Sequence, residues 1–190
     1  MKIGLFFGSF NPIHNGHIII ANHILNETEL GKIWLIVSPQ NPLKPAGTLL
    51  NEYDRIHLAR LAVEGDNRIQ VSDIEFKLPR PSYTIDTLTY LSEKYPENEF
   101  CVILGSDSYQ NLPKWKNYDV IIKNYSIYIY KRPGYEVTTL LNREPIIVEA
   151  PLLEISATKI RQLAKDGKSI RYLVPETVRE EIEQNRYYRK

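Results

Sequence analysis

The chain predicts an α/β fold: a doubly wound, mostly parallel sheet with helices on both faces and a small C-terminal helical part. Three observations carry this. Short runs that are apolar at nearly every position, such as 3–7 and 100–104, alternate with segments of helical spacing. Consecutive apolar positions mean strands buried on both faces, the pattern of parallel strands covered by helices. Finally, the stretches richest in Gly, His, Ser and Arg each follow a predicted strand. That is where a parallel α/β sheet binds its ligand, near the point where strand order reverses.

Residues 3–7 form the first strand and the segment after His17 the first helix. Residues 32–38, K-I-W-L-I-V-S, form the second strand, followed by a Pro- and Gly-rich loop over 39–47. Asn51 looks like an N-cap, with Asp54 at N3 and Ile56, Leu58, Leu61 and Ala62 at helical spacing as far as Gly65. Residues 69–78 alternate imperfectly, which predicts an extended segment with a break near Asp73. Ser82 or Tyr83 starts a helix carrying Ile85, Leu88 and Leu91 that ends before Pro96. Residues 100–104 are a strand, and Gly105-Ser106-Asp107 is its exit turn. Pro113 opens a helix through Ile122, and 125–130 and 146–148 are further strands. Residues 156–164 are helical, and Pro175 at N1 opens a last helix to about Arg186. At 190 residues this is one domain, a Rossmann-like core over about 1–150 with 151–190 as a closing helical part.

The formal net charge of +1 offers no broad footprint for nucleic acid or an anionic membrane, so anion binding has to come from a local site. Cys101 is the single cysteine, which excludes an intramolecular disulfide and fits a small core residue in an apolar run. No apolar run approaches the roughly 20 residues of a transmembrane helix, and the expectation is that there is no signal peptide, since Met1-Lys2 leads straight into the first strand. A cytoplasmic protein with neither nucleic acid nor membrane as partner is the expectation. Tyrosines clustered over 125–135 fit either a contact in a homo-oligomer or plain strand surface.

The stretch Gly8-Ser9-Phe10-Asn11-Pro12-Ile13-His14-Asn15-Gly16-His17 sits between the first strand and the first helix. Gly8 and Gly16 let the backbone approach a ligand closely. Pro12 stiffens the loop and biases Asn11 towards an extended conformation. If the helix begins near His14, His14 and His17 share one face beside a helix N-terminus. Free N–H groups, the positive dipole end and two ring donors make that an anion site. A second such start lies at Ser156-Ala157-Thr158-Lys159-Ile160-Arg161, where Ser156 or Thr158 can cap a helix and Arg161 can reach the same side.

The first stretch resembles the H-x-G-H signature of the nucleotidyltransferase superfamily, in the form G-S-F-[DN]-P-x-H-x-G-H found in nicotinate or nicotinamide mononucleotide adenylyltransferases. The second resembles the I-S-[ST]-[TS]-x-[IV]-R motif that closes over the triphosphate there; Ala157 stands where the family often has Ser, which removes one hydroxyl donor. Class I aminoacyl-tRNA synthetases pair similar motifs, but this chain has no room for their tRNA-binding domains. The resemblance implies transfer of AMP from ATP, with His14, His17 and Arg161 as catalytic residues and Mg2+ accompanying the triphosphate without a dedicated metal cage. It implies an ATP side built from Gly8, Ser9, Phe10, His14, Gly16 and His17, joined by Gly105, Asp107 and Arg132 and by Ser156, Thr158, Ile160 and Arg161.

For the acceptor, Ser82-Tyr83-Thr84-Ile85-Asp86-Thr87-Leu88 resembles the S-Y-T-[IV]-D-T-L segment of nicotinate mononucleotide adenylyltransferases, and Leu112-Pro113-Lys114-Trp115 the L-x-x-W element whose indole stacks on the pyridine. The implied mononucleotide side is Asn11, Lys44, Tyr83, Thr84, Leu112 and Trp115. A helix N-terminus favours a carboxylate over a neutral amide, which tips the expectation to nicotinate mononucleotide as the partner of ATP. Nicotinamide mononucleotide or phosphopantetheine adenylylation is the alternative chemistry. A nucleotide sensor without turnover is the alternative of another class.

Overall fold

The computed structural model describes residues 1–39, 49–151 and 154–189. Among these, six strands form one parallel sheet: β1 (Lys2–Gly8), β2 (Lys32–Val37), β3 (Ile69–Ser72), β4 (Glu99–Gly105), β5 (Ile127–Tyr130) and β6 (Ile146–Val148), in the order β3-β2-β1-β4-β5-β6. The chain winds outward from β1 to β3 on one side, then returns to β4 and winds out on the other. The reversal therefore falls between β1 and β4. In register, Phe6 of β1 pairs with Leu35 of β2 and Ile103 of β4.

Two cores result from the two-residue side-chain period of the strands. Phe6, Leu35, Cys101, Ile103 and Tyr128 face α1 (Asn15–Glu27), α2 (Glu52–Ala62), α6 (Ala157–Lys165) and α7 (Glu176–Gln184). Leu5, Ile36, Val102, Leu104 and Ile129 face α3 (Thr84–Lys94), α4 (Ser106–Gln110) and α5 (Tyr118–Asn124). The doubly wound expectation holds, and with it Cys101 as a buried core residue. No helix among the described residues is long and apolar enough to cross a membrane.

Several local expectations need correction. The extended segment expected over 69–78 stops at Ser72, and a 3-10 turn over Ile74–Phe76 follows. That turn carries the buried Glu75 inward, against hydroxyls of Ser82 and Thr87. The expected exit turn at Gly105-Ser106-Asp107 is the start of α4. The single helix expected from Pro113 to Ile122 is two pieces, a 3-10 turn Leu112–Lys114 and α5. Between them Trp115 is extended and Asn117 takes a left-handed φ of 51°, a conformation Asn tolerates better than most residues. The strand expected from Tyr125 begins at Ile127. Pro175 caps α7 rather than occupying its first turn.

Candidate active site

β1 ends at Gly8, where a Cβ would lie 2.8 Å from the Phe10 ring, so only glycine fits under that side chain. Phe10 itself sits at φ 45°, a left-handed conformation that costs a non-glycine residue roughly 1–2 kcal/mol. Its burial under the sheet end offsets that cost. The loop then delivers His14 as the N-cap of α1, with His17 in the first turn. The two imidazoles stack with centroids 3.7 Å apart. His17 Nδ1 accepts from the His14 backbone N–H at 3.3 Å. A neutral His17 must therefore carry its proton on Nε2, as a donor. Burial, with the Arg132 guanidinium nearby, pushes the His14 pKa down to about 4, so that ring is neutral at pH 7. Its Nδ1 is buried without a hydrogen-bond partner among the described residues.

The second helix start comes to the same place. Arg161 of α6 donates from Nη1 to the Asn11 carbonyl at 2.8 Å and from Nη2 to Thr158 Oγ1 at 3.2 Å. Ile155, at the entry to α6, lies against Gly16: a Cβ there would be 3.5 Å from Ile155 Cβ. The early histidine pair and the late guanidinium, 150 residues apart in sequence at the Asn11–Arg161 bond, thus flank one site. Ser156 caps α6, accepting from the Lys159 N–H at 3.3 Å.

Arg132 follows β5. Its N–H donates to Ser106 Oγ at 2.8 Å and its Nη2 to the Tyr130 hydroxyl at 3.3 Å, while Nε lies 3.4 Å from Asp107 Oδ1. At Gly105 a Cβ would collide with Asp107 Oδ1 at 2.5 Å, which keeps that position open. Beside this cluster, between the ends of β1 and β4, opens a cavity of about 460 Å³. Ser9, Tyr83, Thr84, Asp107, Lys114 and Trp115 are among its walls. The N-terminus of α3 points into it through Tyr83 and Thr84; Tyr83, not Thr84, holds the N-cap position.

Not every expected contact residue is available as a side chain. Phe10, Leu112 and Ile160 have their side chains buried in the two cores. Lys44 lies outside the described residues.

Three residues were missed by sequence reasoning. Arg55 is fully buried and donates to four carbonyls: Leu50 at 2.8 Å, Ser9 at 2.6 Å, Ser38 at 2.8 Å and Pro39 at 2.8 Å. It ties the exits of β1 and β2 to the start of α2. Glu75 accepts from Ser82 Oγ at 2.9 Å and Thr87 Oγ1 at 3.0 Å, anchoring the start of α3 at the cavity. Burial raises its pKa, against the opposing hydroxyls of Ser38, Ser82 and Thr87. Tyr188, after α7, donates to Asn11 Oδ1 at 2.9 Å. A signal existed for the first: Arg55 is a charged residue directly beside Ile56, on the side of the helix that carries Leu58 and Ala59.

The cytidylyltransferase-like family profile matches residues 5–163. A relative from Cytophaga hutchinsonii, named "Probable nicotinate-nucleotide adenylyltransferase", is 51% identical over 189 residues, 99% of this chain and 98% of its own. One from Bacteroides thetaiotaomicron with the same name is 44% identical over 190 residues, covering 97% and 94%. Among solved structures, the Plasmodium falciparum nicotinic acid mononucleotide adenylyltransferase complexed with NaAD superposes with a TM-score of 0.82 at 19% identity, covering 98% of this chain and 97% of that one. At that identity the likeness speaks for the fold. The sequence matches run nearly end to end, and by them the chain belongs to the cytidylyltransferase-like family, among the nicotinate-nucleotide adenylyltransferases.

Proposed function

We propose that the chain transfers AMP from ATP to nicotinate mononucleotide, releasing pyrophosphate and forming nicotinate adenine dinucleotide. The observation that carries this is the bond from Arg161 to the Asn11 carbonyl at 2.8 Å, which sets the α6 start against the loop of the stacked histidines. An ionised phosphate oxygen of the mononucleotide attacks the α-phosphorus of ATP, and the bond from that phosphorus to the bridging oxygen of pyrophosphate breaks. The nucleophile carries its charge already, so no base is required. The work is alignment and stabilisation of phosphoryl charge. His17 donates from Nε2 to the α-phosphate. Neutral His14 and the α1 N-terminus add donors beside it. Arg161, Thr158 and the α6 N-terminus hold the β- and γ-phosphates, and Arg132 adds positive charge on the adenosine side.

ATP enters as its Mg2+ complex. No cluster of three or more His, Cys, Asp or Glu able to hold a metal occurs among the described residues. Apart from the Asp107 carboxylate, the groups at the site are imidazoles, hydroxyls and guanidinium groups, which suit phosphate rather than the ion, so the metal would be held mainly by phosphate oxygens and water and would neutralise charge on the triphosphate. The acceptor's pyridine fits the cavity beside Trp115, and its carboxylate fits the α3 N-terminus at Tyr83 and Thr84. Lys114 in the same wall adds positive charge, while Lys116 is paired with Asp86 at 2.9 Å.

The test is pyrophosphate release from Mg2+-ATP with nicotinate or nicotinamide mononucleotide as acceptor. Faster release with nicotinate is expected. ATP binding without release for either acceptor would overturn the activity, and a preference for nicotinamide would overturn the acceptor.

A further inference from the structure

Beyond α7 the chain turns back into the site. Tyr187 donates from its hydroxyl to Asp54 Oδ1 of α2 at 3.2 Å, which ties this segment down. The next residue, Tyr188, sits at φ 66° and reaches Asn11 Oδ1 at 2.9 Å. The Leu50 N–H donates to the same Oδ1 at 3.2 Å, which identifies that atom as the amide oxygen and makes the Tyr188 hydroxyl a donor. Asn11 is then a junction. Its side chain is held by Tyr188 and Leu50, and its carbonyl holds Arg161 Nη1 at 2.8 Å.

We propose that Tyr188 is a positioning residue for Arg161: its hydroxyl fixes the Asn11 side chain, and the Asn11 carbonyl in turn aims the guanidinium at the polyphosphate. A guanidinium binds phosphate through a rigid fork, so its value depends on orientation. Arg161 donates to one side chain among the described residues, Thr158 on its own helix. The orientation thus depends on the loop carbonyl, and the loop depends on its side-chain anchors. The Tyr188 hydroxyl is one of those anchors, reaching across 177 residues of sequence.

This rests on the polyphosphate site proposed above, and the test separates the two. Tyr188→Phe keeps the ring and its packing and removes only the donor. Calorimetric Kd for Mg2+-ATP is compared between wild type, Tyr188→Phe, Arg161→Lys and the double variant, with thermal melts alongside. The expected result is a loss of ATP affinity of about 3- to 10-fold in Tyr188→Phe, the usual worth of one hydrogen bond. In the Arg161→Lys background the same change should cost less than about twofold, because the fork it positions is gone. An unchanged Kd overturns the proposal, as does a lowered melting temperature with unchanged Kd. So does an equal loss in both backgrounds. Wild-type protein that binds ATP but releases no pyrophosphate would defeat the proposed activity and leave the Tyr188 measurement valid.

Discussion

Replacing His17 with Ala removes the donor on which the proposed chemistry depends most. The ring's Nδ1 is held by the His14 amide at 3.3 Å, which leaves Nε2–H of the neutral ring as the donor that the proposed mechanism uses. Removing a preorganised donor to developing charge costs about 2.7–4 kcal/mol of barrier, or about 100- to 1000-fold in kcat. The fold should survive. What is lost is edge contact with Phe10 at 5.1 Å and with Phe6 at 6.1 Å between centroids, the stack on His14 at 3.7 Å, and the hydrogen bond from the His14 N–H. Such pairs are worth about 0.5–1.5 kcal/mol each, against a typical stability of about 5–15 kcal/mol. The assay is pyrophosphate release at saturating Mg2+-ATP and nicotinate mononucleotide, with urea unfolding of the same preparation. KM should move far less than kcat, because the donor acts on the transition state. A folded variant that keeps turnover within about tenfold of wild type would refute the assignment of this donor.

Arg161→Lys loses the two-pronged geometry, and kcat/KM for ATP should fall by about 10- to 100-fold in steady-state kinetics with folding intact. Glu75→Gln loosens the Ser82 and Thr87 anchors of α3; KM for the mononucleotide should rise by about tenfold while KM for ATP stays, as initial-rate titration of each substrate would report. Arg55→Met leaves four carbonyls, the buried one of Pro39 among them, without their donor and should cost about 3 kcal/mol or more in urea unfolding. His14 titrates at about 4 in the folded protein against 6.5 as its ordinary value. The unfolded chain therefore binds more protons between those values. This contribution is fully present above pH 6.5, shrinks as pH falls towards 4, and amounts to roughly 3 kcal/mol across the window. Urea midpoints measured across that range should fall with pH in wild type and flatten in His14→Gln.

The fold was legible because both signals behind it are local. Runs such as Phe100 to Leu104 announce strands covered on both faces, and Asn51 and Ser156 announce helix starts through their own side chains, each accepting from a backbone N–H. The histidine pair was legible for the same reason, being set by a spacing within one helix turn. What stayed hidden depends on tertiary partners. Glu75 reads as a polar residue in a strand, yet the chain turns there to bury it against hydroxyls that come later in sequence. The helix expected from Pro113 broke at Trp115 and Asn117, because the indole side packs towards the cavity wall and Asn117 tolerates the reversed φ. Tyr188 gave no sequence signal, since its meaning lies in Asn11, at the other end of the chain. Phe10, Leu112 and Ile160 belong to motif stretches but face inward, a distinction that spacing alone does not carry.

The most direct measurement is a crystal structure of the protein with Mg2+ and a non-hydrolysable ATP analogue. Convergence of the two helix starts predicts triphosphate density between the His14–His17 stack and the first turn of α6, with Arg161 on the outer phosphates. Density for the analogue elsewhere on the molecule, with that gap filled only by water, would contradict it.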